Sequence, residues 1–333
     1  MKTLKTILLS SVIAVLAFAP VKSGEVSVSG SMEISNTTGL TGSNAGGKLG
    51  QENELSVTAS TELDNGTTVS YKQSITQDNG RNDSELKFGT SYGTIAMTST
   101  GTPIDAIDNI VPTAFEEAEY GVGTGYIDAS QFSGNGSMGL RYSNTFYGVS
   151  VDAMYTPQYG SADGSTDSAP TGTVNEKYGA VEEIVLKADP LALVGLEGSS
   201  LMVGYGKVEQ LRANLNDPET ATAAFTYTYG PLSLGIQKSG VSYGNFGTAK
   251  AAGVSWAKNT TIGAAFAVND SLSISYQETD SYRSNMAATG NVIKGNASRD
   301  GVELQADTIS VAYTISMLKM EKDRELDNKI NKC

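Results

Sequence analysis

Apolar residues recur at every second position in runs of about ten residues, and polar breaks separate the runs. Leu55, Val57, Ala59, Thr61 and Leu63 share one parity. Asp64-Asn65-Gly66 then turns the chain, and Val69, Tyr71 and Ile75 resume the alternation. A period of two gives each strand one apolar and one polar face. In a soluble sandwich the polar face meets water outside. In a membrane barrel the apolar face meets lipid and the polar face lines a lumen. The function turns on which of these holds.

Residues 25–35 form the first predicted strand, followed by a polar loop over 36–51. After the 52–63 hairpin partner and its return strand, 78–83 reads as a loop. Leu86 and Phe88 mark the fourth strand, and Ile95 and Met97 the fifth. Residues 100–136 form a long break, a length that signals a functional loop. Leu140 and Tyr142, then Val149 and Val151, flank a short turn at Tyr147-Gly148, and 157–179 is another long loop. Further strands carry Ile184 and Leu186, Leu201 and Val203, Ala223 and Phe225, Leu234 and Ile236. A loop running through Trp256 precedes Ile262 and Phe266; Ile274 and Tyr276 follow, and Ile309, Val311, Tyr313 and Ile315 end the pattern. The count is about fourteen strands, with short turns and long loops in strict alternation, the layout of an up-and-down outer-membrane barrel. Tyr92, Phe146, Tyr147, Tyr229 and Tyr276 fall near strand ends, where an interfacial girdle places aromatics.

The start of the chain reads as a secretory signal peptide over residues 1–23. Lys2 and Lys5 precede an apolar stretch over residues 7–18, too short to span a bilayer. No later apolar run reaches the length of a membrane helix, so residues 24–316 read as one β domain and 317–333 as an atypical tail.

The chain contains 37 Gly, 16 Tyr, no His and one Cys, Cys333. Without His, Ser-His-Asp and Cys-His nucleophile systems are excluded, as are histidine-ligated metals. A lone Cys excludes an intrachain disulfide. A net charge of −13 argues against nucleic acid, which requires a basic face. The sequence therefore predicts no enzyme and no cofactor. Asp64-Asn65-Gly66 and Asp78-Asn79-Gly80 could hold Ca²⁺, but turn chemistry explains them better.

The stretches Phe88-Gly89-Thr90-Ser91-Tyr92-Gly93-Thr94-Ile95-Ala96-Met97 and Ser137 to Val151, with the layout from Glu25 to Ile315, resemble the bacterial outer-membrane general porins. The resemblance implies a barrel of about sixteen strands, a third loop folded into the lumen, a homotrimer, and passive diffusion of small hydrophilic solutes. It also implies an outer-membrane setting, among lipid and lipopolysaccharide. Such porins end on a strand with a terminal aromatic residue. Here the chain runs from Met317 to Cys333 through a charge-dense, non-alternating tail, so about one hairpin is missing from the pattern. A truncated or frameshifted product is the preferred explanation, and a native fourteen-stranded barrel with an added tail is the alternative.

The loop over 100–136 carries Asp105, Asp108, Glu116, Glu117, Glu119 and Asp128 and no Lys or Arg. Thr113 and Glu116 fit a capping box, which predicts a helix over residues 113–120. Folded inward, this loop would form the constriction. Strand parity turns Lys72, Lys87, Arg141 and Lys187 toward the lumen, beside Glu62, Glu85 and Glu183. An acidic loop facing a basic wall would set a transverse field, and the carboxylate surplus predicts weak cation preference. Small inward positions at Thr226, Thr228, Gly263, Ala265, Ser273 and Ser275 predict an open channel. A non-conducting barrel acting as structural anchor or adhesin is the alternative, and a secreted β-sandwich or solenoid adhesin the third reading.

Overall fold

The computed structural model describes residues 24–37, 48–76, 80–99, 101–114, 138–157, 159, 178–211, 216–242, 254–285 and 302–313. Strand-forming Val, Ile, Leu and Tyr alternate with Ser, Thr and Gly, and each run becomes a strand. They are β1 (Glu25–Thr37), β2 (Lys48–Glu62), β3 (Thr68–Thr76), β4 (Gly80–Thr90), β5 (Gly93–Thr98), β6 (Gly139–Phe146) and β7 (Val149–Thr156). β8 (Tyr178–Ala188), β9 (Ser199–Gln210), β10 (Glu219–Tyr229), β11 (Leu232–Ser242), β12 (Val254–Ala267), β13 (Leu272–Asn285) and β14 (Val302–Tyr313) complete the set.

All fourteen lie in one sheet in sequence order, each antiparallel to the next. This is the up-and-down architecture the alternation predicts. Among the described residues β1 pairs with β2 alone and β14 with β13 alone, so the described sheet is open between them. Side chains on these edges are correspondingly bare: Val26 is 68% and Ile309 80% exposed.

Strand parity sorts the two faces. On β9, Leu201, Val203 and Tyr205 point outward and are exposed, whereas Met202, Gly204, Gly206 and Val208 point inward and are buried. On β11, Leu232, Leu234 and Ile236 are outward, and Gly235, Gln237 and Ser239 inward. A row of exposed apolar side chains outside and hydroxyls, amides and glycines inside is the reverse of a soluble sandwich. The outward parity turns charged toward the long-loop end, at Lys207, Lys238, Lys258 and Asp280. No helix among the described residues is long and apolar enough to cross a membrane.

The short connections use local turn chemistry. Tyr147 (φ +51) and Gly148 (φ +82) both take the left-handed conformation that a two-residue hairpin loop needs to match strand twist. At Asp64-Asn65-Gly66, the Gly66 N–H donates to the Leu63 carbonyl at 2.9 Å and the Thr67 N–H to Asn65 Oδ1 at 3.0 Å. Tyr92, Phe146, Tyr147 and Tyr229 stand exposed at this rim. Tyr276 instead lies within β13, where its hydroxyl donates to Asp307 at 3.0 Å.

Three expectations need correction. β4 begins at Gly80, so the connection from β3 is only residues 77–79, not a loop reaching 83. It is shorter than the 189–198 connection on the opposite rim, and strict alternation of loop length fails there. Gly80 to Asp83 read as loop because they are polar, yet β4 includes them, paired to β3 through Gly80 and Arg81 with a register shift beyond. Trp256 belongs to β12 rather than to a loop; it stacks on Tyr282 of β13 with ring centroids 5.3 Å apart. Residues 1–23 and 314–333 lie outside the described residues, and with them the predicted signal peptide, Ile315 and the tail.

Candidate functional site: the inner wall and the third loop

The segment leaving β5 turns into the barrel. Residues 101–114 run along the inner face of the sheet, and their contacts span β6, β8, β9, β11, β12 and β13. Gly101 (φ +53) makes the turn inward. Arg141 Nη1 on β6 donates to the Gly101 carbonyl at 2.7 Å and fixes the start of the arm.

Apolar residues of the arm seat on a track of inward glycines. Ile104 is fully buried, and Ile107 and Val111 nearly so. A Cβ placed on Gly204 would come within 2.7 Å of Ile104 Cδ1 and 2.8 Å of Ile107 Cδ1. On Gly235 it would meet Pro112 Cδ at 2.4 Å, and on Gly263 Val111 Cγ1 at 2.6 Å. Such approaches are closer than a real Cβ permits, so glycine is what the inner wall needs there. Ile104 and Ile107 complete a small core with Val185 and Met202. Each fully buried side chain of this kind contributes about 1.5–3 kcal/mol.

Polar wall residues satisfy the arm's backbone. Glu183 on β8, buried, accepts the Ile104 N–H at 3.2 Å and a bond from the Thr102 hydroxyl. Gln237 on β11 donates to the Ile107 carbonyl at 2.6 Å and accepts the Ile110 N–H at 3.2 Å. Ser275 on β13 accepts the Ala114 N–H at 2.7 Å and bonds the Thr113 hydroxyl at 3.2 Å. A non-helical segment buried in a barrel needs every such partner.

Asp105 and Asp108 fall on the described arm, the first exposed and the second buried at 9%. Asp105–Ile107 forms one 3-10 turn. Glu116, Glu117, Glu119 and Asp128 lie outside the described residues, as does the predicted 113–120 helix beyond Ala114.

The four predicted wall cations take inward parity, but three have carboxylate partners on the same wall. Lys72 Nζ lies 3.8 Å from Glu54, and Lys87 Nζ 2.6 Å from Glu85. Arg141 grips Asp152 with two nitrogens, Nε at 2.8 Å and Nη2 closer still. The wall is therefore a mosaic of ion pairs rather than a basic surface. Parity places Glu85 and Asp152 on the inner face; it does not say that they neutralise their neighbours, because that depends on register across strands. Lys187 stands in the β7–β8 register opposite Ser150 and has no such ion pair among the described residues.

The sequence reading missed the glycine track and the amide clasp. The small residues Gly263 and Ser275 predict an open lumen, yet both lie under the loop arm and are small because it rests on them. The regular recurrence of glycine on inward parity at 204, 206, 235 and 263 was the available signal.

Residues 10–316 match the profile of the Gram-negative porin family, and the chain belongs to that family. Its fold is similar to that of a porin refined at 1.8 Å resolution, with a TM-score of 0.53 at 11% identity over 86% of this chain and 100% of that one. The anion-selective porin from Comamonas acidovorans aligns with a TM-score of 0.44 at 12% identity, over 87% of this chain and 99% of that one. The in-vitro folded OmpT of Vibrio cholerae aligns with a TM-score of 0.42 at 10% identity, over 89% and 99%. None of the curated proteins matches the sequence. Membership of this family points to an outer-membrane channel, and the fold agrees with it.

Proposed function

We propose that the protein is a water-filled diffusion channel for small hydrophilic solutes and ions, weakly preferring cations, with its lumen narrowed by the third loop. The observation that carries this reading is the arm 101–114, clasped to the inner wall by Arg141, Glu183, Gln237 and Ser275. Glu116, Glu117, Glu119 and Asp128 follow the arm in sequence, and on this reading they set, with Asp105 and Asp108, the charge of the constriction. Three wall cations lie beside Glu54, Glu85 and Asp152, so the wall holds little net positive charge against a loop with six carboxylates and no Lys or Arg. A negative surplus in a narrow aqueous passage raises the local concentration of cations. The same reading has the signal over 1–23 removed after export, with residues 24–316 forming the barrel and 317–333 a tail. Three copies associate in the outer membrane, in contact with lipid and lipopolysaccharide.

Reversal potential in a KCl gradient across a planar bilayer tests the sign. A potential on the cation side is expected. A clear anion preference would overturn the assignment of the loop as the charge-setting element.

A further inference from the structure

Beneath the loop arm, on the short-turn side, the inner wall encloses an open cavity of about 590 Å³. Its walls differ in chemistry. Pro103 and Ile107 of the arm, with Met202 of β9, supply an apolar surface. Thr94, Ser143 and Ser150 supply hydroxyls from β5, β6 and β7. Asp152 also lines the cavity, but Arg141 holds its carboxylate through both oxygens. Lys187 lines it too. Of the inward cations whose side chains are described, it is the one without a wall carboxylate as partner.

We propose that this cavity is a low-affinity subsite for a sugar acid of the hexuronate type. A hexuronate has one carboxylate, a ring of hydroxyls, and a face of C–H bonds. Lys187 pairs with the carboxylate, the Thr94, Ser143 and Ser150 hydroxyls replace water around the ring, and the C–H face lies against Ile107 and Met202. The volume lies within the range of small-molecule pockets. A plain inorganic anion would leave the apolar surface unused, and a neutral sugar would leave Lys187 unpaired. Weak binding is compatible with flux, since a solute in a pore must leave as readily as it enters. The site rests on the reading of the protein as a conducting channel.

The test is block of single-channel KCl current by glucuronate, with glucose and glucosamine as comparators, using the full mature chain in planar bilayers. Glucuronate is expected to reduce the current at a concentration about tenfold below glucose, the ratio for one charge-assisted contact. Glucosamine, a cation, is expected to be weaker still. Lys187→Gln is expected to bring glucuronate to the level of glucose, and Lys187→Arg to keep its advantage. Lys238→Gln, on the outer face, is the control that leaves block unchanged. Equal block by glucuronate and glucose, or an advantage that survives Lys187→Gln, would overturn the subsite while KCl conductance keeps the channel reading intact. Absence of KCl conductance would overturn both.

Discussion

Gln237 Nε2 donates to the carbonyl of Ile107, 130 positions away in sequence, at 2.6 Å. The same amide accepts the Ile110 N–H at 3.2 Å and donates to the Thr222 hydroxyl at 3.0 Å. One buried side chain thus closes both sides of a loop turn against β11. Gln237→Leu leaves the buried Ile107 carbonyl without its partner, at about 1–3 kcal/mol, and removes the acceptor of the part-buried Ile110 N–H. The variant is expected to show larger and noisier single-channel conductance and a lower temperature for the heat-induced gel shift. Unchanged conductance would mean that the arm does not narrow the passage.

Gly263 tests the seat rather than the clasp. A side chain there meets Val111 Cγ1 at 2.6 Å and the Pro112 carbonyl at 3.0 Å, neither of which can swing aside as a flexible tip would. Gly263→Val is expected to push the arm toward the lumen axis and lower conductance, at an overpacking cost of about 1–3 kcal/mol. Ala265, on the same strand and parity, gives the comparison: Ala265→Val is expected to change conductance less.

The architecture was legible because a barrel writes its two faces into alternate residues. Val203 and Tyr205 reveal β9 by parity alone, and the Tyr147-Gly148 turn is marked by its glycine. Boundaries were less legible where polar residues continue a strand, as at Gly80 to Asp83, since pairing with β3 and not composition decides them. The site was legible as a place but not as a mechanism. Loop length and acidity identified 100–136, yet Glu183, Gln237 and Ser275 reach the arm from residues 79, 130 and 161 positions away. Only the fold brings such partners together. Ion pairing of Arg141 with Asp152 is diagonal across β6 and β7, a relation set by register.

Charge selectivity is expected to follow the loop rather than the wall. Glu116→Gln with Glu117→Gln is expected to lower the cation preference read from the reversal potential. Neutralising Lys72 with Glu54, or Lys87 with Glu85, removes a balanced pair and is expected to alter it less. No change in the loop variant would place those carboxylates away from the narrow passage.

Asp217, between β9 and β10, gives a pH-dependent contact outside the strands. Its carboxylate meets Lys207 Nζ at 2.7 Å and accepts the Gln210 N–H at 2.8 Å. The hydrogen bond from Lys207 outweighs the opposing effect of desolvation and holds its pKa below the usual carboxylate range. A lowered folded-state pKa adds stability that is complete above the unfolded value of about 3.9 and is lost as pH falls through the folded value. The protection of the Gln210 amide, the intrinsic exchange rate divided by the observed rate at the same pH, is therefore expected to fall below about pH 4 in the native chain. In Asp217→Asn that protection is expected to be lower already at neutral pH and to lose the pH step.

The most direct measurement compares two neighbouring positions on β7. Ser150 and Val151 are replaced singly by cysteine in a Cys333→Ser background, and each protein is reconstituted into vesicles. A water-soluble maleimide is expected to label position 150, and a quencher confined to the acyl chains to reach a fluorophore at 151. Labelling of 151 from water with quenching at 150, or neither position meeting water or lipid, would contradict a sheet that turns its apolar side chains to the membrane and encloses water behind them.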